Sequence, residues 1–282
     1  MYLSIFRKKL ILIVLVIVNF FIVFTKDIDA GLRVVSLSPA VTEIVCVLGA
    51  TANLVAISTD CNYPAVVSGL PKVGSFLKPN LESIFAINPD IVLGMGNSNS
   101  PENWKLNELG ISTNVYETPE SFIDIYSIIK EVGYVLGKQP EADALVLKLL
   151  DEVEAFKAVV SVKPVKVLFA IWGKPLVVAG KKTFINDMIE TAGGQNIVDI
   201  DIVKYPKINP EYVVHKDPSI IIVGDKSAYE CLKYDRSVML TSAGREDRLF
   251  LANDLDVLLR PGPRFVEGIK WLEKVINKCR ID

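Results

Sequence analysis

A helical stretch with proline at both ends sets the plan of this chain. Residues 141–160 follow Pro140 and stop before Lys163-Pro164. Proline suits a helix's first turn and disfavours helix in the residue before it. Between them Leu145, Leu149, Val153, Phe156 and Val160 recur every three or four residues, with Lys148, Asp151, Glu152 and Lys157 interspersed. That period predicts one amphipathic helix. At ~1.5 Å per residue it spans roughly 30 Å, enough to bridge two lobes.

The segments on either side of this helix resemble each other. Residues 80–93 begin Asn80-Leu-Glu82 and run through Asn88-Pro89-Asp90 into an apolar Ile91-Val-Leu93. Residues 209–222 begin Asn209-Pro-Glu211 and run through Asp217-Pro218 into Ile220-Ile-Ile222. Asparagine, glutamate and proline recur at the same offsets, and a loop with an aromatic precedes each unit, Phe76 in one and Tyr205 in the other. Each unit reads as loop, helix and buried strand.

The rest fits this plan. Residues 33–38 read as a buried strand and Ser38-Pro39 as the cap and first turn of a helix ending at Gly49. Residues 54–58 form a second strand. Strands are also expected at 113–116 and 166–171, and helices at 102–109, 121–136 and 183–192. An amphipathic helix is expected from Phe265 to Lys278. Strand, helix, strand in series is the unit of a parallel sheet. The fold class is therefore α/β, with two αβ lobes of mainly parallel sheets joined by one long rigid α-helix. The expected boundaries are 31–139 for the first lobe, 140–163 for the helix and 164–282 for the second lobe.

Residues 1–30 stand apart. Arg7, Lys8 and Lys9 precede an apolar run from Leu10 to Phe24 broken only by Asn19. This reads as an export signal, with a retained membrane anchor as the alternative. The chain is expected outside the cytoplasm, in the periplasm or its equivalent. Four of the 31 basic but only two of the 33 acidic side chains fall in this segment. The remainder is thus more acidic than the whole, whose net charge is −2. An acidic chain without a basic block argues against nucleic acid as a partner.

The candidate chemistry is binding rather than catalysis. His215 is the one histidine in the chain, so any serine or cysteine triad depends on it. It is expected as a solvated helical residue. Cys46, Cys61, Cys231 and Cys279 form no metal-ligand spacing, and a Cys231–Cys279 bridge is the first pairing to examine. No catalytic or metal-ligating residues and no resident cofactor are assigned. The loops at the carboxyl ends of the strands bear Ser38, Asp60, Phe76, Met95, Trp172, Tyr205 and Arg260, and ligands bind open parallel sheets at that edge. Flat and soft side chains there suit a bulky, partly apolar ligand. Glu82 and Glu211 complement a helix dipole by ~0.3–1 kcal/mol. Their repeated offset further suggests one acidic knob per lobe, fitted to a partner with two basic sockets.

Arg33-Val-Val-Ser-Leu-Ser-Pro-Ala-Val-Thr-Glu43, Asp60-Cys-Asn-Tyr-Pro64, Lys72-Val-Gly-Ser-Phe76, Asn80-Leu-Glu-Ser-Ile84, Pro89-Asp-Ile-Val92 and Arg260-Pro-Gly-Pro-Arg264 act as a set. With them the chain, from about Arg33 to Lys278, resembles the substrate-binding proteins of ABC importers for cobalamin, ferric siderophores and haem. The resemblance implies two lobes on a rigid helix with ligand held between them. It implies that Glu82 and Glu211 meet arginines of the membrane permease. It places the aromatics of a cobalamin pocket at Phe76, Trp172 and Tyr205, with Met95 where a further aromatic would stand. Arg260 and Arg264 either meet an anionic ligand or cap the final helix. A monomer carrying a cobalt corrinoid is expected, with a ferric siderophore or haem as the alternative ligand and an enzyme on a similar scaffold as the rival.

Overall fold

A computed structural model describes residues 31–157 and 164–281. The expected export segment, 1–30, and the end of the linking helix, including Val160, lie outside the described residues.

The first lobe is built on a four-stranded sheet. Its strands are β1 (Val34–Ser36), β2 (Leu54–Ile57), β3 (Ile91–Met95) and β4 (Ser112–Tyr116), in spatial order β2-β1-β3-β4 and all parallel. Helices α1 (Pro39–Val47), α2 (Leu81–Ile87), α3 (Pro101–Glu108) and α4 (Phe122–Val135) connect and cover it. Side chains alternate across the sheet. Val34 and Leu93 join the core under α1 and α4, while Val35 and Val92 join one with Ile84 of α2 and Leu106 of α3. α1 starts at Pro39 and ends just before Gly49, whose φ of 74° favours glycine. Ser38 occupies the cap position but its side chain makes no capping bond.

The second lobe has five strands: β5 (Val165–Trp172), β6 (Val177–Val178), β7 (Gly194–Asn196), β8 (Ile220–Val223) and β9 (Leu249–Leu251). β5 pairs parallel with β7 and β8, β8 pairs parallel with β9, and β6 is antiparallel to β5. β8 is buried along its whole length, as a central parallel strand covered on both faces must be. Helices α5 (Gln139–Lys157), α6 (Phe184–Thr191), α7 (Pro210–Lys216), α8 (Lys226–Lys233), α9 (Arg236–Met239), α10 (Ser242–Arg245), α11 (Asp256–Leu259) and α12 (Phe265–Ile281) complete the described chain.

α5 is the linking helix. Its 19 residues span roughly 28 Å. Pro140 sits inside the first turn rather than before it. The helix buries Ala142, Val146, Leu149 and Val153, and Leu145 and Phe156 pack at the edge of the same core. It touches α4 of the first lobe and α6 and α12 of the second. Gly133 makes the α4 contact close: a Cβ there would come within 2.4 Å of the Ala142 methyl. The lobes also meet directly. Phe122 stacks on Phe265 at 4.4 Å, and the Phe122 N–H donates to Asp187 Oδ2 at 3.0 Å. The inner faces of both sheets thus merge in one core around α5 and α12.

The two repeated units adopt the same local structure. Asn80 Oδ1 accepts from the Ser83 N–H at 2.9 Å, and Asn209 Oδ1 accepts from the Tyr212 N–H at 2.8 Å. Each helix ends in a left-handed residue, Asn88 (φ 51°) and Asp217 (φ 46°), before the proline and the buried strand. The Cys231–Cys279 bridge is not formed. Cys231 is a thiol packed near Gly173, at the carboxyl end of β5.

Candidate functional site

A hollow opens at the carboxyl ends of the first lobe's strands. It is lined by Ser38, Pro39 and Ala40 after β1, Asp60 after β2, Ser75 to Leu77, Met95 at the end of β3 and Thr118 after β4. Leu259, Arg260 and Pro261 of the second lobe close one side. Its volume is about 920 Å³, counting the part open to solvent. A second, contiguous recess shares Phe76, Leu77 and Met95 and extends to Asn97 and Asn103.

Backbone geometry builds the Phe76 side. Gly74 has φ 90°, and a Cβ there would sit 2.6 Å from Lys78 O and 2.7 Å from Asn80 N. Only glycine fits this turn. The Thr59 N–H bonds to Gly74 O at 2.8 Å, and Asp60 Oδ2 accepts from the Phe76 N–H at 2.6 Å. Two bonds therefore tie the aromatic loop to the turn after β2. Phe76 is 37% exposed, so its ring remains available to a ligand.

Arg260 is held on all sides. Its Nη1 donates to Asn62 Oδ1 at 2.7 Å and to Glu43 Oε1 at 3.3 Å. Its Nη2 lies 3.0 Å from Asp256 Oδ2 and 3.4 Å from Asp60 O. Two carboxylates thus offset one guanidinium. Glu43 is only 4% exposed, and burial pushes its carboxyl above the ordinary range against the opposing pull of Arg260. Arg264 pairs with Asp254 and with Glu267 in the first turn of α12, and its guanidinium stacks on the Tyr63 ring. The Arg264 carbonyl also accepts from the Glu267 N–H at 2.9 Å, so Arg264 stands at the start of the final helix.

The remaining sequence candidates fall elsewhere. Trp172 ends β5 and is 60% exposed, but does not line the hollow. Tyr205 is partly buried against the shared core, also outside that lining. Its neighbour Lys204 reaches the first lobe, with Nζ 3.0 Å from Thr118 O and 3.2 Å from Glu120 Oε1. Glu82 and Glu211 are exposed on α2 and α7 and make no ion pair among the described residues. His215 is exposed on α7, beside a separate recess with Lys166 and Lys181. No cluster of three or more metal-ligating side chains occurs among the described residues. Sequence reasoning missed Glu43 and Asn62 as the anchors of Arg260. A carboxylate amid the apolar run of α1 was the available signal.

A family profile described as Periplasmic binding protein matches residues 34–254. The chain belongs to this family. The binding protein is 32% identical to a vitamin B12-binding protein of Salmonella paratyphi A, over 73% of this chain and 77% of that one. It is 27% identical to an uncharacterized ABC transporter substrate-binding lipoprotein of Bacillus subtilis, over 86% and 79% of the two chains. Among solved structures, the apo periplasmic haem-binding protein of a Roseiflexus species superposes with a TM-score of 0.79 at 26% identity, covering 89% of this chain and 99% of that one. The periplasmic vitamin B12-binding protein of Vibrio cholerae shares the fold, with a TM-score of 0.74 at 23% identity over 89% and 98%. The two αβ lobes of this binding protein are thus the architecture of periplasmic solute receptors.

Proposed function

We propose that this chain is the exported substrate-binding component of an ABC importer, and that it takes a corrinoid into the hollow beside Phe76 and hands it to the permease. One observation carries the choice of ligand. Ser38, Asp60, Phe76, Met95 and Arg260 line one hollow, and its one cationic side chain, Arg260, already faces Glu43 and Asp256. A broad lining of aromatic, thioether and aliphatic groups with no unbalanced cation suits a large ligand whose rim is amide rather than carboxylate. A corrinoid has that rim. Haem bears two propionates, and many ferric siderophore complexes are anionic. The relatives named for vitamin B12 point the same way.

Haem is the second reading, favoured by the likeness to the haem-binding protein of Roseiflexus. A catalytic role has less support, because an acid–base pair in the hollow would lack an imidazole: His215 lies outside its lining. Export by residues 1–30, a monomeric state, and permease docking through Glu82 and Glu211 complete the reading. Trp172, exposed at the end of β5, would meet the part of a bulky ligand that projects beyond the hollow, whereas Tyr205 stays packed on the core.

Equilibrium dialysis of the chain lacking residues 1–30 against cyanocobalamin, cobinamide, haemin and ferric citrate tests the assignment. Saturable binding of the two corrinoids with weak binding of the anionic chelates is expected. Preference for haemin or ferric citrate overturns the corrinoid assignment, and binding of none of the four overturns the carrier reading.

A further inference from the structure

The two acidic knobs have company. Phe85 lies three residues after Glu82 on α2, and Val214 lies three residues after Glu211 on α7. Side chains three apart share one face of a helix. Phe85 is 54% exposed and Val214 38%. Both sit five residues after the capping asparagine, so the repeat carries an acid and an apolar side chain to the same place on each lobe. The helix beside α2, α3, exposes Trp104, and the helix beside α7, α9, exposes Met239. Neither Phe85 nor Val214 lines the hollow, so ligand does not account for their exposure.

Resting on the docking reading above, we infer that each lobe meets the permease through a mixed knob, Glu82 with Phe85 and Glu211 with Val214, received by two copies of one socket: a cation beside an apolar recess. An internally repeated patch on a single chain fits a partner whose surface is itself repeated by a two-fold axis. A second copy of this chain fits poorly, because acid would face acid at both knobs. The glutamates steer the encounter and set register, while desolvation of the apolar side chains holds the complex. Phe85 offers more area than Val214, so the first-lobe knob contributes more.

The test measures binding of the full exported chain to its cognate ABC permease in lipid nanodiscs. Phe85→Ser is expected to speed dissociation roughly tenfold and Val214→Ser less, with little change in association rate. Glu82→Lys and Glu211→Lys are expected to slow association, most at low salt. Circular dichroism melts of the four variants, whose sites are exposed, check that each is folded. Wild-type dissociation in both serine variants, with the lysine variants impaired, overturns the mixed knob and leaves acidic docking standing. Wild-type binding in all four overturns the docking reading itself. Self-association of the chain that Phe85→Ser abolishes, with permease binding intact, also overturns it.

Discussion

Arg260 Nη1 lies 3.3 Å from Glu43 Oε1, joining residues 217 positions apart. The bond fastens the segment before α12 to the first helix of the first lobe and leaves the hollow without a free cation among the described residues. Breaking one side of a buried pair leaves the other charge uncompensated, which typically costs ~3–5 kcal/mol. Arg260→Ala is therefore expected to lower urea stability by about 3 kcal/mol. A loss below about 1 kcal/mol would mean that water reaches Glu43 and that the pair is an ordinary surface contact.

The same site predicts a pH dependence. Burial raises the Glu43 carboxyl above its ordinary value of 4.5, while Arg260 and Arg264 lower it and Asp256 raises it further. A carboxyl with a higher pKa folded than unfolded binds its proton more tightly in the native state. Its contribution is full below the unfolded pKa and is lost as pH rises through the folded one. Wild-type stability relative to Glu43→Gln should therefore fall with pH from about 4.5 upward in urea unfolding. A rising difference would show that pairing with Arg260 outweighs desolvation.

Asp60 holds the Phe76 loop at the edge of the hollow. Its carboxylate accepts the Phe76 N–H at 2.6 Å, an exposed bond worth about 1 kcal/mol in stability. Asp60→Ala should leave the melting transition nearly in place yet weaken ligand roughly tenfold, because the ring is no longer held at the hollow. Unchanged affinity by calorimetry would remove Phe76 from the ligand contacts.

The lobes are tied at several points: Lys204 to Thr118 and Glu120, Asp187 to Phe122, and Phe122 against Phe265. With α5 packed on both lobes, closure by a hinge would have to break this shared core. Small-angle scattering with and without ligand should give superimposable profiles. A clear fall in radius of gyration on binding would contradict a rigid link.

The caps of the repeated units should be equivalent. Asn80→Ala and Asn209→Ala each remove one side-chain bond to the third helical N–H, and each is expected to cost about 1 kcal/mol. A large difference in urea midpoints would mean that the two helices depend unequally on their caps.

Much of this molecule is written locally. Asparagine caps, prolines and short β-branched runs act over a few residues, so the strand–helix order, the parallel sheets, the linking helix and the matched units could be read from the sequence. The edge holding Ser38, Asp60, Phe76 and Met95 was also legible, because each ends or follows a strand of one parallel sheet. Which side chains share the hollow was not. Trp172 and Tyr205 have the right residue type and the right edge, but Tyr205 packs on the core and Trp172 stands outside the lining. The sequence presents Arg260 as a charge available to a ligand. Only the meeting of the two lobes sets it against Glu43, Asn62 and Asp256. Charge balance depends on neighbours brought together by the whole fold, and no local spacing encodes it.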